Sequence, residues 1–141
     1  MKKKRKKRAK NGTITKAKVW SVFSRYIRLR DADEHGNCTC VTCGTVKYWS
    51  EMQAGHGIGG RGNDVIFDEH IVYAQCDKCN IWNRGEYGKY AILLIKKFGL
   101  EWCEKRVDRS RRTHKLGKAA LQEIYEHYSG EVERLKQEKG L

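Results

Sequence analysis

Cys40-Val41-Thr42-Cys43 and Cys76-Asp77-Lys78-Cys79-Asn80 decide how this chain is read. Cysteines three apart on a tight turn aim both sulfurs at one point, and two such knuckles supply the four thiolates of a tetrahedral zinc site. A plain zinc ribbon separates its pairs by about 15–20 residues. Here residues 44 to 75 intervene, enough for a hairpin, a loop and a reactive side chain. The spacing predicts structural Zn²⁺ on Cys40, Cys43, Cys76 and Cys79. Two cysteines remain. Cys38, one residue removed from the first knuckle, could exchange with Cys40 as a ligand, and Cys103 reads as a buried helix residue.

Composition narrows the class. At 141 residues, with 39% hydrophobic residues, the chain is one small domain with extensions whose modest core benefits from a metal staple. Lys and Arg exceed Asp and Glu by 13. So basic a protein most simply binds nucleic acid, because each phosphate contact releases counterions. No apolar run approaches a membrane-spanning length, and the basic N-terminus lacks the apolar segment of a secretory signal. The expected place is therefore the reducing cytoplasm, where cysteines act as metal ligands and not as disulfides.

The chain opens on Lys2, Lys3, Lys4, Arg5, Lys6, Lys7, Arg8 and Lys10, a like-charge block that does not fold alone and reads as a DNA-binding arm over residues 1–14. Residues 15 to 31 place Val19, Val22, Phe23, Tyr26, Ile27 and Leu29 at spacings of three and four, an amphipathic helix interleaved with Arg25, Arg28 and Arg30. That helix either covers the core or grips phosphate. Thr39 to Trp49 reads as a short ribbon around the first knuckle. The glycines from Gly55 to Gly62 bracket His56 and Arg61 and allow another chain to approach closely, or make a flexible loop. Val65–Phe67 and Ile71–Tyr73 are β-rich and predict the second strand and its approach. A helix is expected from Asn80, carrying Trp82 and continuing past Gly85 to Gly99. The order is strand, glycine loop, strand, helix: an α+β fold with a ββα unit between zinc knuckles. Residues 109–141 read as a basic linker (Arg109, Arg111, Arg112, Lys115, Lys118) and a C-terminal helix broken at Ser129-Gly130. This helix either packs back on the core or pairs with a second copy in a homodimer.

From Phe23 to about Val107 the chain resembles the phage NinG (Rap) recombination family, whose zinc-bearing nuclease core belongs to the HNH, or ββα-metal, superfamily. The resemblance is carried by SRYIRLRDA (24–32), CVTCG (40–44), QAGH (53–56), Phe67 with Glu69, AQCDKCN (74–80), Gly85, and Tyr90 with LLIKKFG (93–99). It implies a zinc-stapled HNH-like domain over residues 15–108. It also implies a metal-dependent DNA endonuclease of phage recombination, cutting branched DNA such as Holliday junctions. In such sites a histidine ending the first strand is the general base, and a ligand at the head of the helix holds a divalent ion on the scissile phosphate. His56 and Asn80 occupy those positions, with Mg²⁺ or Mn²⁺ as the catalytic ion. Two departures stand out. Gly55 replaces the acidic ligand that often precedes the base, and Ile71 stands where an asparagine usually orients it. Asp68, Glu69 or His70 could complete the ion site, Glu69 as the best family match and His70 as the best ligand chemically, or all three are a polar strand edge. Arg28, Arg61 and Arg84 are further candidates for DNA contact. The rival readings are a non-catalytic zinc module that binds nucleic acid and an HNH nuclease acting on linear duplex.

Overall fold

The computed structural model describes residues 12–59, 64–112 and 115–141; Lys2 to Lys10 of the basic arm and Arg61 lie outside them. Helix α1 spans Lys16–Asp31, and its six buried side chains are the six that the apolar spacing predicts. Thr15 begins it, its hydroxyl accepting the Lys18 N–H at 3.2 Å, the usual remedy for an unpaired amide at a helix start. Next comes a hairpin of β1 (Asn37–Thr39) and β2 (Val46–Tyr48), antiparallel with Cys38 opposite Lys47. Its turn carries the first knuckle. A second antiparallel hairpin pairs β3 (Gln53–His56) with β4 (Val72–Gln75), Gly55 facing Tyr73 and His56 facing Val72. A π-helical turn over Lys78–Trp82, α2 (Tyr87–Phe98), α3 (Leu100–Ser110) and α4 (Lys118–Lys139) complete the chain. The fold is α+β, and no helix is long and apolar enough to cross a membrane among the described residues.

The main core lies where α1 crosses the β3–β4 hairpin, with Phe23, Ile27, Leu29, Ile71, Val72 and Tyr90 fully buried. Burial of each such side chain stabilises by about 1.5–3 kcal/mol. Polar clamps fix the crossing. The Arg30 guanidinium pairs with Asp31 at 2.7 Å and donates to the carbonyls of Glu69 and Val72, both at 2.8 Å. Asp31 in turn accepts the Ala74 N–H at 2.8 Å. This arginine is committed to holding α1 on β4, which settles for Arg30 the choice between core cover and phosphate grip.

The helical part differs from expectation in four places. Val65 and Ile66 are buried within a turn and not in a strand, because their backbone folds back through Asp68 N–H to Val65 C=O. The helix expected to run from Asn80 through Gly85 is interrupted where Arg84, Gly85 and Glu86 all take positive φ (53°, 92° and 50°), a left-handed stretch that cannot continue a right-handed helix. A boundary at 108/109 falls inside α3, which runs to Ser110. Finally, α4 passes through Ser129-Gly130 unbroken, since Tyr128, Val132 and Leu135 bury against α1 on either side of the glycine. The packing outweighs the roughly 1 kcal/mol helix penalty of one glycine. Packing back on the core, one of the two roles weighed for this helix, is what its buried side chains do. Its last lysine seals the arrangement: Lys139 Nζ donates to the carbonyls of Leu29 and Ala32, both at 2.6 Å, and of Arg30 at 3.2 Å. These are the unpaired acceptors at the end of α1, where a cation also suits the helix dipole.

Candidate functional site

The four knuckle thiols converge. Cys40, Cys43, Cys76 and Cys79 place their sulfurs within 4.8 Å of one another, and they are the one cluster of three or more His, Cys, Asp or Glu side chains so arranged among the described residues. Cys43 and Cys76 are 3.6 Å apart. A tetrahedron with sulfur about 2.3 Å from a central zinc has edges of about 3.8 Å, so the cluster needs little adjustment to close on the ion. Burial opposes ionisation of Cys40, but the Thr42 hydroxyl and the backbone at Cys76, Cys43 and Thr42 hold it down to about 6, while burial pushes Cys79 up to about 12. Cys38 takes no part. It is fully buried in β1, packed against the knuckle residues, and its thiol meets the Arg28 carbonyl at 3.5 Å instead of joining the cluster. Burial, then Asp31, pushes it up to about 12. Cys103 is buried on α3 as its sequence context predicts.

Beside the second knuckle lies a polar cleft of about 500 Å³ lined by His56, Asn80, Gln53, Arg28, Ser24 and Trp20, with Ile81 and Tyr87 at its lip. His56 ends β3, its ring stacked on Trp20 (centroids 4.8 Å apart, 17° between planes) and its Nε2 2.9 Å from the Ile66 carbonyl. A carbonyl only accepts, so Nε2 carries the proton and the lone pair of the neutral ring sits on Nδ1. Asn80 stands in the π-helical turn and donates from Nδ2 to Gln53 Oε1 at 2.6 Å. That bond orients the amide and leaves Oδ1 as its acceptor. Arg28 reaches the cleft from α1, its Nη1 3.5 Å and 3.4 Å from the carbonyls of Trp49 and Ser50. Burial, and then Arg25, pull its pKa down from the ordinary arginine value. No carboxylate pairs with it among the described residues, so the cleft holds a partly desolvated cation short of an anion.

Glycine flanks His56 for steric reasons. A Cβ on Gly55 would stand 2.0 Å from Oε1 of the buried Gln75, and one on Gly57 would stand 2.5 Å from the Tyr90 ring and 2.6 Å from Leu94. Gln75 is committed, donating to Thr42 Oγ1 at 3.0 Å and Gly85 C=O at 2.9 Å, so it ties the first knuckle to the turn before α2. Tyr90 inserts its hydroxyl into the ladder itself, accepting from Tyr73 N–H at 3.0 Å and donating to Gly55 C=O at 2.6 Å. No acidic ligand could stand before the histidine without displacing this packing.

Glu69 and His70 do not reach the cleft. The Glu69 carboxylate lies beside Tyr26 and Tyr128, between α1 and α4, and burial, then Glu69, pushes Tyr26 up to about 12. His70 pairs with Asp68 at 3.1 Å and faces the rings of Phe98 and Trp102 at 6.0 and 6.2 Å. Asp68 is held in its turn by Arg106 at 2.9 Å. The chain reverses between Phe67 and Val72 and so carries Asp68, Glu69 and His70 to the helices while returning β4 to the knuckle. Ile71 is fully buried, and its carbonyl accepts the Gly57 N–H at 2.7 Å. Arg84 is exposed in the left-handed turn outside the cleft. What sequence reasoning missed is Trp20 and Gln53, the two side chains that hold His56 and Asn80. A signal was present: Trp20, Ser24 and Arg28 recur every four residues, a second stripe on α1 beside the apolar one.

The family described as Bacteriophage Lambda NinG protein matches residues 1–138. Protein ninG of Salmonella phage P22 is 25% identical over 112 residues, 79% of this chain and 52% of that protein, so the chain spans about half the length of this relative. No solved structure matches. With the family matched over nearly its whole length, the chain belongs to the NinG family.

Proposed function

We propose that the chain is a metal-dependent DNA endonuclease of the HNH, or ββα-metal, class, acting in the host cytoplasm on branched DNA in phage recombination. One observation carries this reading: His56 from the end of β3 and Asn80 from the turn before α2 share a cleft with an arginine that no carboxylate pairs among the described residues, beside a four-thiol knuckle. His56 is held by Trp20 and by the Ile66 carbonyl and takes the proton from water. An imidazole, whose unperturbed pKa lies near neutrality, suits a general base. Arg28 receives a nonbridging phosphate oxygen, and its partial burial strengthens that contact. Gln53 keeps the Asn80 Oδ1 turned to the cleft.

The donor set fits a catalytic Mg²⁺ or Mn²⁺ only in part. Asn80 offers one neutral oxygen, no carboxylate lines the cleft among the described residues, and Gly55 has no room for one. Such a set suits a weakly held ion that keeps most of its water and takes further oxygens from the phosphate itself. When bound, the ion would stabilise charge on the phosphate and leaving group. The same shortage of carboxylates supports a second reading, a zinc module that binds nucleic acid without cutting it. The four thiolates serve a structural zinc in either case.

Purified protein incubated with labelled Holliday junction, flap and linear duplex, with Mg²⁺, Mn²⁺ or no added divalent ion, separates these readings. The expected result is ion-dependent cleavage of branched substrates that His56→Ala abolishes. Binding without cleavage under every ion would establish the second reading, and equal cutting of linear duplex would remove the branched preference.

A further inference from the structure

The turn beside the cleft is apolar and exposed in a protein that carries an excess of 13 positive charges: Ile81 and Tyr87 line the cleft, and Trp82, outside that lining, is the next residue after Ile81. Ile81, Trp82 and Tyr87 are 57%, 77% and 49% exposed, and Trp82 is the most exposed large apolar side chain among the described residues. The other three tryptophans have aromatic or cationic neighbours: Trp20 stacks on His56, Trp49 lies beneath Arg28, and Trp102 stacks on Phe98. Trp82 has neither kind of partner among the described residues.

Nor does it sit on a loose loop. The turn is braced by Asn83 N–H to Lys78 C=O at 2.8 Å, Arg84 N–H to Ile81 C=O at 3.2 Å and Gly85 N–H to Cys79 C=O at 2.8 Å. The last of these ties it to a knuckle cysteine. The left-handed run Arg84–Glu86 then turns the chain sharply into α2. The indole is thus presented on a rigid platform two residues beyond Asn80, with the exposed cations Lys78 and Arg84 on the same turn. An aromatic face between cations matches a nucleotide, whose base stacks while its phosphate is neutralised. In continuous duplex the base faces are already stacked on each other. An added aromatic gains only where a base is unpaired or a helix ends.

We propose that Trp82 stacks on an unpaired or terminal base at a DNA branch and thereby directs the cleft to discontinuities in the duplex. This rests on the DNA reading above and adds the residue that selects the substrate. The test uses the full-length protein, without added divalent ion, and its Trp82→Ala and Trp82→Phe variants. Affinity is measured by anisotropy for a flap DNA carrying 2-aminopurine at the branch and for a continuous duplex of equal length, over a salt series. Because Trp82 is exposed, both variants are expected to retain zinc and the wild-type circular dichroism.

Stacking on one base is worth about five- to a hundredfold in affinity. Trp82→Ala should lose flap affinity by such a factor, with less than a twofold change on duplex and an unchanged salt slope, and Trp82→Phe should recover most of the loss. Quenching of 2-aminopurine by the wild type should vanish in Trp82→Ala. Unchanged flap affinity, or equal loss on both DNAs, overturns the stacking role while leaving the DNA reading intact. A wild-type dimer that Trp82→Ala dissociates would also overturn it, by assigning the indole to a second copy. Failure of the wild type to bind any DNA would remove the DNA reading and this inference with it.

Discussion

The two ends of the second knuckle are built on opposite principles. Cys76 and Cys79 join Cys40 and Cys43 in a closed four-sulfur cluster, whereas Asn80, the next residue, opens onto a cleft that holds Arg28 and no carboxylate among the described residues. The closed set has every ligand that a structural ion needs and leaves no position for substrate. The open set has too few ligands to hold an ion alone, and in the function proposed above it leaves room for water and phosphate. One short turn thus serves stability at one end and exchange at the other, and the rigidity of the first is what positions the second.

The sharpest way to break this contrast is to attack the closed end. Replacing Cys76 with Ser should abolish cooperative folding, because structural zinc contributes on the order of 10 kcal/mol or more at neutral pH. Metal analysis should find about one zinc per wild-type chain and none in the variant. Protons compete with zinc for the thiolates, so acidification should release the ion and lower the melting temperature, not raise it. A zinc-free variant that still melts cooperatively would show that the staple is dispensable.

At the open end, His56→Ala should cut cleavage by a factor of about 10²–10⁴ with little change in DNA affinity. Asn80→Ala should lose cleavage in a way that higher Mg²⁺ or Mn²⁺ partly restores. Retained activity in His56→Ala would shift the chemistry to another group. His70→Ala, by contrast, should leave cleavage and its ion dependence unaltered, since His70 faces Phe98 and Trp102 and not the cleft. Loss of ion dependence in that variant would bring Asp68, Glu69 and His70 back into the site.

The seam between the two ends is steric, and filling it should cost less. Gly57→Ala forces a methyl against Tyr90 and Leu94 and should destabilise by about 1–3 kcal/mol, as overpacking of a tight core does. Chemical denaturation would measure it, with an unchanged midpoint showing that α2 can retreat. The smallest effect is expected at Lys139. Replacing it with Met removes the bonds to three α1 carbonyls and should cost about 1–2 kcal/mol, with no effect on zinc content.

Much of this molecule was legible in local sequence. The spacing of apolar residues placed α1 and its buried face, the two Cys-x-x-Cys pairs located the thiol cluster, and the order of β-rich and helical segments gave an α+β fold. Each of these follows from periodicity or from chemistry acting over a few residues. Less legible were the continuity of α4 and the break at Arg84–Glu86. The first is a contest between one glycine and the surface of another helix, and the second depends on Gln75 and Cys79 bonding the Gly85 backbone. The sequence by itself determined that four thiols would meet and that a glycine-flanked histidine would stand between them. Only the tertiary structure decided that Glu69 and His70 turn away to the helices, that Gly55 excludes a side chain because Gln75 fills its space, and that Trp20 and Gln53 hold the histidine and the asparagine. These outcomes depend on which distant surfaces the reversal between Phe67 and Val72 brings together, and such distances are set by packing, not by spacing along the chain.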